Sequence, residues 1–138
     1  ATHYNEKVYQ STDTTNARPN FSLLIYPVIS MNSEITHLGS QTNLLGSQAS
    51  ASVIENFSNE LQVTSETPEA FIVHASDDTV VSAKNSIVYY EALMKNKVPV
   101  ELHLYEKGGH GFGLGGEYSS KYWTTDCQNW LKEHKYID

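Results

Sequence analysis

Hydrophobic positions along this chain fall into short blocks separated by polar segments, and the spacing changes from block to block. Residues 22–29 (SLLIYPVI) are a nearly continuous apolar run. That is the pattern of a strand covered on both faces in a parallel sheet, with Pro27 marking where ladder pairing stops. The polar stretch 10–20 before it, ending in Pro19 and Asn20, predicts a surface loop, and 30–49 also reads as loop. Within the latter LGSQ occurs at 38–41 and again at 45–48, a match too brief and too closely spaced to define a structural repeat. Over residues 50–61, Val53, Ile54, Phe57 and Leu61 recur at helical spacing, with serines at the start to cap free amides.

A second apolar run, 70–74 (AFIVH), predicts another strand that breaks into the polar loop 75–79. Residues 85–94 place Ile87, Tyr90, Leu93 and Met94 on one helical face, and that helix gives out before Pro99. Val98, Val100, Leu102 and Leu104 then alternate with Glu101, His103 and Tyr105, a third strand. A glycine-rich loop, 108–116, leads to a last helix over 119–134 with Trp123, Cys127, Trp130 and Leu131 along one stripe. Strand and helix thus alternate three times, which predicts an α/β fold. Such alternation builds a parallel sheet with covering helices, and right-handed crossovers bring every loop that follows a strand to one edge. Ligands of open sheets bind at that edge.

Composition narrows the functional classes. The chain has 138 residues, enough for one domain or part of one. Nine Lys and Arg against sixteen Asp and Glu give a net charge of -7, the wrong sign for neutralising a phosphate backbone, so nucleic acid is not an expected partner. No apolar run approaches the roughly 20 residues of a membrane-spanning helix, and the N-terminal residues do not read as a signal peptide, so no membrane is expected and the compartment is left unassigned. A single cysteine excludes an intramolecular disulfide and a multi-thiolate zinc site.

Candidate chemistry gathers in two of the edge loops. Asp77 and Asp78 follow the second strand, and His110 follows the third. Adjacent parallel strands lie about 4.8 Å apart, so a carboxylate at one tip can reach an imidazole at the next. A carboxylate in that position fixes the imidazole tautomer and stabilises the imidazolium formed when histidine takes a proton from a nucleophile. The third member of such a relay, a hydroxyl on a sharp G-x-S-x-G turn, has no match: Ser40 and Ser47, each preceded by glycine, lack the second glycine and the strand-to-helix setting.

Three segments carry a resemblance: HLGSQTNLLG (37–46), VTSETPEAFIVHASDDTVVSAKNSIVYYEAL (63–93) and VPVELHLYEKGGHGFGL (98–114). Together they resemble the last three strands and loops of α/β-hydrolase esterases of the acetyl-esterase and acetylxylan-esterase-like group, over residues 21–138. The resemblance implies that residues 1–138 are the C-terminal portion of a single α/β-hydrolase domain, a doubly wound and mostly parallel sheet of which this chain holds about three strands out of about eight. It places the acid in a pattern of Asp, two residues, then an aliphatic. Asp77 with Val80 fits this directly and is favoured; Asp78 with Val81 is the alternative. The family histidine, in a GGHG-like turn, carries over to His110. The nucleophilic serine and the oxyanion-hole amides match nothing here, so the resemblance implies that they lie outside this chain, in the N-terminal half of the same domain, which becomes a partner. The implied activity is hydrolysis of short-chain acyl esters, including acetyl groups on carbohydrate. A related serine peptidase and a non-catalytic scaffold are the alternatives. Alone, the chain is expected to be inactive.

Other residues read as structural. GFGLGG (111–116) matches a dinucleotide fingerprint, but no strand follows to supply the acidic residue about 20 positions on, so no cofactor is expected. No pair of histidines has metal-ligand spacing, and no metal is expected. Cys127 reads as a small buried hydrophobe, and Tyr89, Tyr90, Trp123 and Trp130 as helix residues packed on the sheet. His74 reads as a packed or hydrogen-bonded residue near the acid loop, and His3, His103 and His134 as surface or edge residues; the resemblance implies that His37 lies in a loop before a cap-like helix, open to a contact on the substrate side.

Overall fold

A computed structural model describes residues 1–4 and 16–138. Part of the predicted loop at 10–20, residues 10–15, lies outside the described residues; 16–20 are irregular, as expected. The strands are β1 (Phe21–Ile25), β2 (Glu69–Ala75) and β3 (Val100–Tyr105). They form one parallel sheet in the order β1-β2-β3, with Leu24 opposite Ile72 and Ile72 opposite Leu102. The helices are α1 (Leu38–Leu45), α2 (Ala51–Phe57), α3 (Lys84–Lys95) and α4 (Trp123–Glu133), with 3-10 turns at Asn59–Gln62 and Ser119–Tyr122.

The sheet has a core on each face because side chains alternate along a strand. On one face Ala70 and Ile72 pack with Tyr89 and Leu93 of α3, joined by Leu24, Val100 and Leu102. On the other, Phe71 and Val73 meet Trp123, Cys127 and Trp130 of α4, joined by Phe21, Ile25 and Tyr105. Every β2 residue from Ala70 to Ala75 is buried, as its unbroken apolar run predicts. No helix among the described residues is long and apolar enough to cross a membrane.

Several expectations need correction. Residues 30–49 are not all loop: α1 forms there although none of its residues is buried, so no hydrophobic stripe announces it. His37 supplies what the stripe does not, since its ring accepts the Ser40 amide as the N-cap. The strand read as 22–29 ends at Ile25, because Tyr26 turns to φ +40 after its amide makes the last ladder bond to the Val73 carbonyl. Nor is β1 buried on both faces; its residues are only half-buried and Leu23 is exposed, since β1 is an edge. The helix read as 50–61 breaks at Ser58, whose buried hydroxyl donates to the Ile54 carbonyl and accepts from the Met31 amide. The buried face of α3 is Asn85, Ser86, Tyr89 and Leu93, rotated from the apolar face expected, and Met94 is exposed.

Candidate active site

Parallel strands deliver their C-terminal loops to one edge, and there the loop after β2 meets the loop after β3. The Ala75–Tyr105 pairing closes the ladder, and the Ser76 amide bonds the Tyr105 carbonyl to bring the two turns side by side. His110 Nδ1 lies 2.8 Å from Asp78 Oδ2. A carboxylate only accepts, so Nδ1 donates. Nε2 is then the lone-pair nitrogen, on a side chain one-third exposed (32 %). This is the tautomer that a general base requires.

The carboxylate that His110 meets is therefore Asp78, and the preference for Asp77 is not what the geometry gives. Both aspartates have an aliphatic three residues on, but Val81 is 3 % exposed and Val80 is 51 % exposed. Burial of Val81 folds the turn so that Asp78 Oδ1 accepts the amides of both Val80 and Val81, each at 2.9 Å. Burial opposes the charge on Asp78. Hydrogen bonds from the Val81 amide, His110 and the Val80 amide, with the attraction of the imidazolium when His110 is protonated, outweigh it and hold the carboxyl below its usual value.

Asp77 is exposed and plays a different part, in which its Oδ1 accepts the amides of Gly108 and Gly109 at 2.9 and 2.7 Å. It ties the acid loop to the turn that carries His110. That turn needs glycine, since Gly109 and Gly111 have φ of +61 and +79. Farther on, Trp123 Nε1 donates to the Gly113 carbonyl at 2.7 Å and anchors the glycine loop to α4.

The sequence does not single out Tyr26, yet its ring centroid lies 4.9 Å from that of His110 and 4.9 Å from that of Phe112, both edge-on. The only hint is its place just before Pro27, at the end of a strand. His74 lies directly beneath Asp78, with Nε2 3.2 Å from Asp78 Oδ2. The remaining candidates fall elsewhere. His37 is engaged as a helix cap. His103 pairs with Glu101 and Asp126 on β3 and α4. His134 bonds Glu69 at 3.0 Å and ties the end of α4 to the start of β2. Cys127 is buried against the sheet, where burial, with the charge of Glu101, pushes its thiol up. Among the described residues no three His, Cys, Asp or Glu side chains converge as a metal set. Ser40 and Ser47 stand at α1 and just after it, away from any strand-to-helix elbow.

The chain is similar to known proteins over most of its length. The profile of the prolyl oligopeptidase family matches residues 17–136. An acetylxylan esterase of Xylanibacter ruminicola is 40% identical over 122 residues, covering 83% of this chain and 25% of that protein. An endo-1,4-beta-xylanase B of Butyrivibrio fibrisolvens is 34% identical over 114 residues, covering 75% of this chain and 18% of that protein. The crystal structure of an acetyl ester-xyloside bifunctional hydrolase from Caldicellulosiruptor lactoaceticus superposes with a TM-score of 0.90 at 34% identity, over 99% of this chain and 52% of that one. The chain thus spans a quarter or less of the curated relatives' length and about half of the structural relative.

Proposed function

This chain belongs to the prolyl oligopeptidase family, with three parallel strands and flanking helices of the α/β-hydrolase fold, and on that premise we propose that it carries the acid–base half of a serine esterase. Residues 1–138 are the C-terminal portion of one hydrolase domain, and the nucleophilic serine comes from the N-terminal half. The observation that carries this is the 2.8 Å bond from His110 Nδ1 to the buried Asp78, whose carboxyl is held below its usual value, which leaves Nε2 free to receive a proton.

The serine hydroxyl attacks the ester carbonyl while His110 Nε2 takes its proton, and Asp78 stabilises the imidazolium. His110 then protonates the leaving alcohol, breaking the ester bond and leaving an acyl-serine. Water, deprotonated by the same nitrogen, releases the acid and restores the serine. The substrate is a short-chain acyl ester, with acetyl groups on xylan-type carbohydrate favoured because the names of all three relatives refer to xylan or xyloside. The family description favours a second reading, a peptidase with the same acid–base pair. Peptide and acetyl-ester substrates given to one preparation separate the two.

The full-length protein is expected to turn over p-nitrophenyl acetate, and His110→Ala to lower kcat by a factor of about 10³ or more. The 138-residue chain alone is expected to show no turnover. Turnover by that chain alone, abolished in His110→Ala, would overturn the placement of the serine.

A further inference from the structure

Behind the His110–Asp78 pair stands a second imidazole to which the proposed mechanism gives no role. His74 is fully buried near the end of β2. Its Nε2 lies 3.2 Å from Asp78 Oδ2 and 3.0 Å from the Val81 carbonyl oxygen. Both neighbours only accept, so Nε2 carries the proton. Nδ1, 2.7 Å from Ser86 Oγ, is then the acceptor, and the Ser86 hydroxyl donates to it. Ser86 is itself fully buried on the inner face of α3. A chain of hydrogen bonds therefore runs from Ser86 to His74 to Asp78, and His110 meets it from the other side.

Asp78 Oδ2 thus takes two N–H groups, one from each imidazole, while Oδ1 takes two backbone amides. Four donors fix the plane of the carboxylate and leave one direction for His110. A histidine that merely filled the core would be satisfied by Ser86 and the Val81 carbonyl. The additional contact is to the oxygen that His110 uses.

We propose that His74 is a positioning residue: its Nε2–H, in the tautomer that Asp78 and the Val81 carbonyl require and with Ser86 donating to Nδ1 behind it, pins Asp78 Oδ2 toward His110 Nδ1 and shares the negative charge that Asp78 would otherwise direct at His110 alone. This role rests on the proposed function of His110 as general base. Two consequences are separable. Without the second donor, the charge of Asp78 acts more strongly on His110, which then holds its proton to higher pH. The carboxylate also gains freedom to rotate, so His110 spends less time aligned for proton transfer.

The test compares His74→Leu, which removes the donor, Ser86→Ala, which takes away the hydroxyl that donates to Nδ1 and so makes Nε2–H a weaker donor, and His74→Gln, whose amide can place an N–H near the original Nε2 position. Each is made in the full-length protein. The ring nitrogens of His110 are titrated by NMR with ¹⁵N-histidine labelling, and kcat and KM are measured on p-nitrophenyl acetate against pH. In His74→Leu the His110 titration and the acidic limb of kcat/KM are expected to move up together by about half a pH unit. In the same variant kcat falls by about 10-fold at unchanged KM. Ser86→Ala moves in the same direction by less, and His74→Gln restores the wild-type titration. A His110 titration unchanged in both Ser86→Ala and a folded His74→Leu overturns the proposal, and if His74→Leu does not fold, Ser86→Ala decides. The titration is read without turnover, so a shifted His110 in a protein inactive on esters supports the coupling while the esterase reading fails. An unchanged titration in an active esterase overturns the positioning role alone.

Discussion

Asp77 and Asp78 have the same side chain and adjacent places, yet one ties two loops together in solvent and the other is buried against two imidazoles. Buried titratable groups of this kind link proton binding to folding. Burial lowers the pKa of His74 from 6.5, with its contacts to Val81 and Asp78 opposing the shift, so the unfolded chain binds a proton there before the folded one does. Its contribution to stability is therefore complete above pH 6.5 and declines as pH falls from there toward the lower folded value. Asp78 is also depressed, from 3.8, so its contribution is complete above 3.8 and is lost as pH falls through its folded value. Urea unfolding of the full-length protein, followed by fluorescence between pH 8 and 3, is expected to show stability falling in two stages. In His74→Gln the stage that begins near pH 6.5 should vanish; its persistence would place that stage on another group. At this scale the sequence made His110 legible, since a histidine between glycines after a strand has few structural duties. The choice between the aspartates was not legible, because it depends on whether Val80 or Val81 is buried.

Elements were legible where burial is apolar and continuous, as in β2, and where a stripe recurs on one face, as in α4. They were illegible where polar side chains occupy the interior. Asn85 is fully buried on α3; its Oδ1 accepts the Ile29 and Ser30 amides, and its Nδ2 donates to the Ile35 and Ser82 carbonyls. One amide thereby satisfies the irregular chain between β1 and α1 as well as the loop before α3. Periodicity cannot register this, since it counts Asn as an outward residue. Asn85→Ala leaves these backbone groups without their partner and is expected to cost about 3 kcal/mol in urea unfolding. A cost under about 0.5 kcal/mol would show that the segment after β1 is held by other contacts. The same reasoning covers Ser58, whose hydroxyl spans the break between α2 and the following 3-10 turn.

At the scale of the whole molecule, the sheet order leaves β1 with no strand partner on its outer side among the described residues. The Tyr26 amide bonds inward to Val73, so alternation along the strand turns the amides of Leu23 and Ile25 outward. In the 138-residue chain alone these two should exchange hydrogen rapidly while β2 amides stay protected, and in the full-length protein they should be protected as a neighbouring strand pairs there. Equal protection in both preparations would count against a missing neighbour. The topology, a parallel sheet with its loops at one edge, was legible from the strand and helix alternation; that edge also brings His110 and Asp78 together. The most direct measurement is kcat on an acetyl ester for the full-length protein, its Asp78→Asn variant and its Asp77→Asn variant. Asparagine at 78 presents a donor to His110 and disfavours the productive tautomer, so kcat should fall by about 10⁴, whereas asparagine at 77 keeps a carbonyl for the Gly108 and Gly109 amides and should cost less than about 10-fold. Equal losses, or the larger loss at Asp77, would contradict the assignment of Asp78 as the acid.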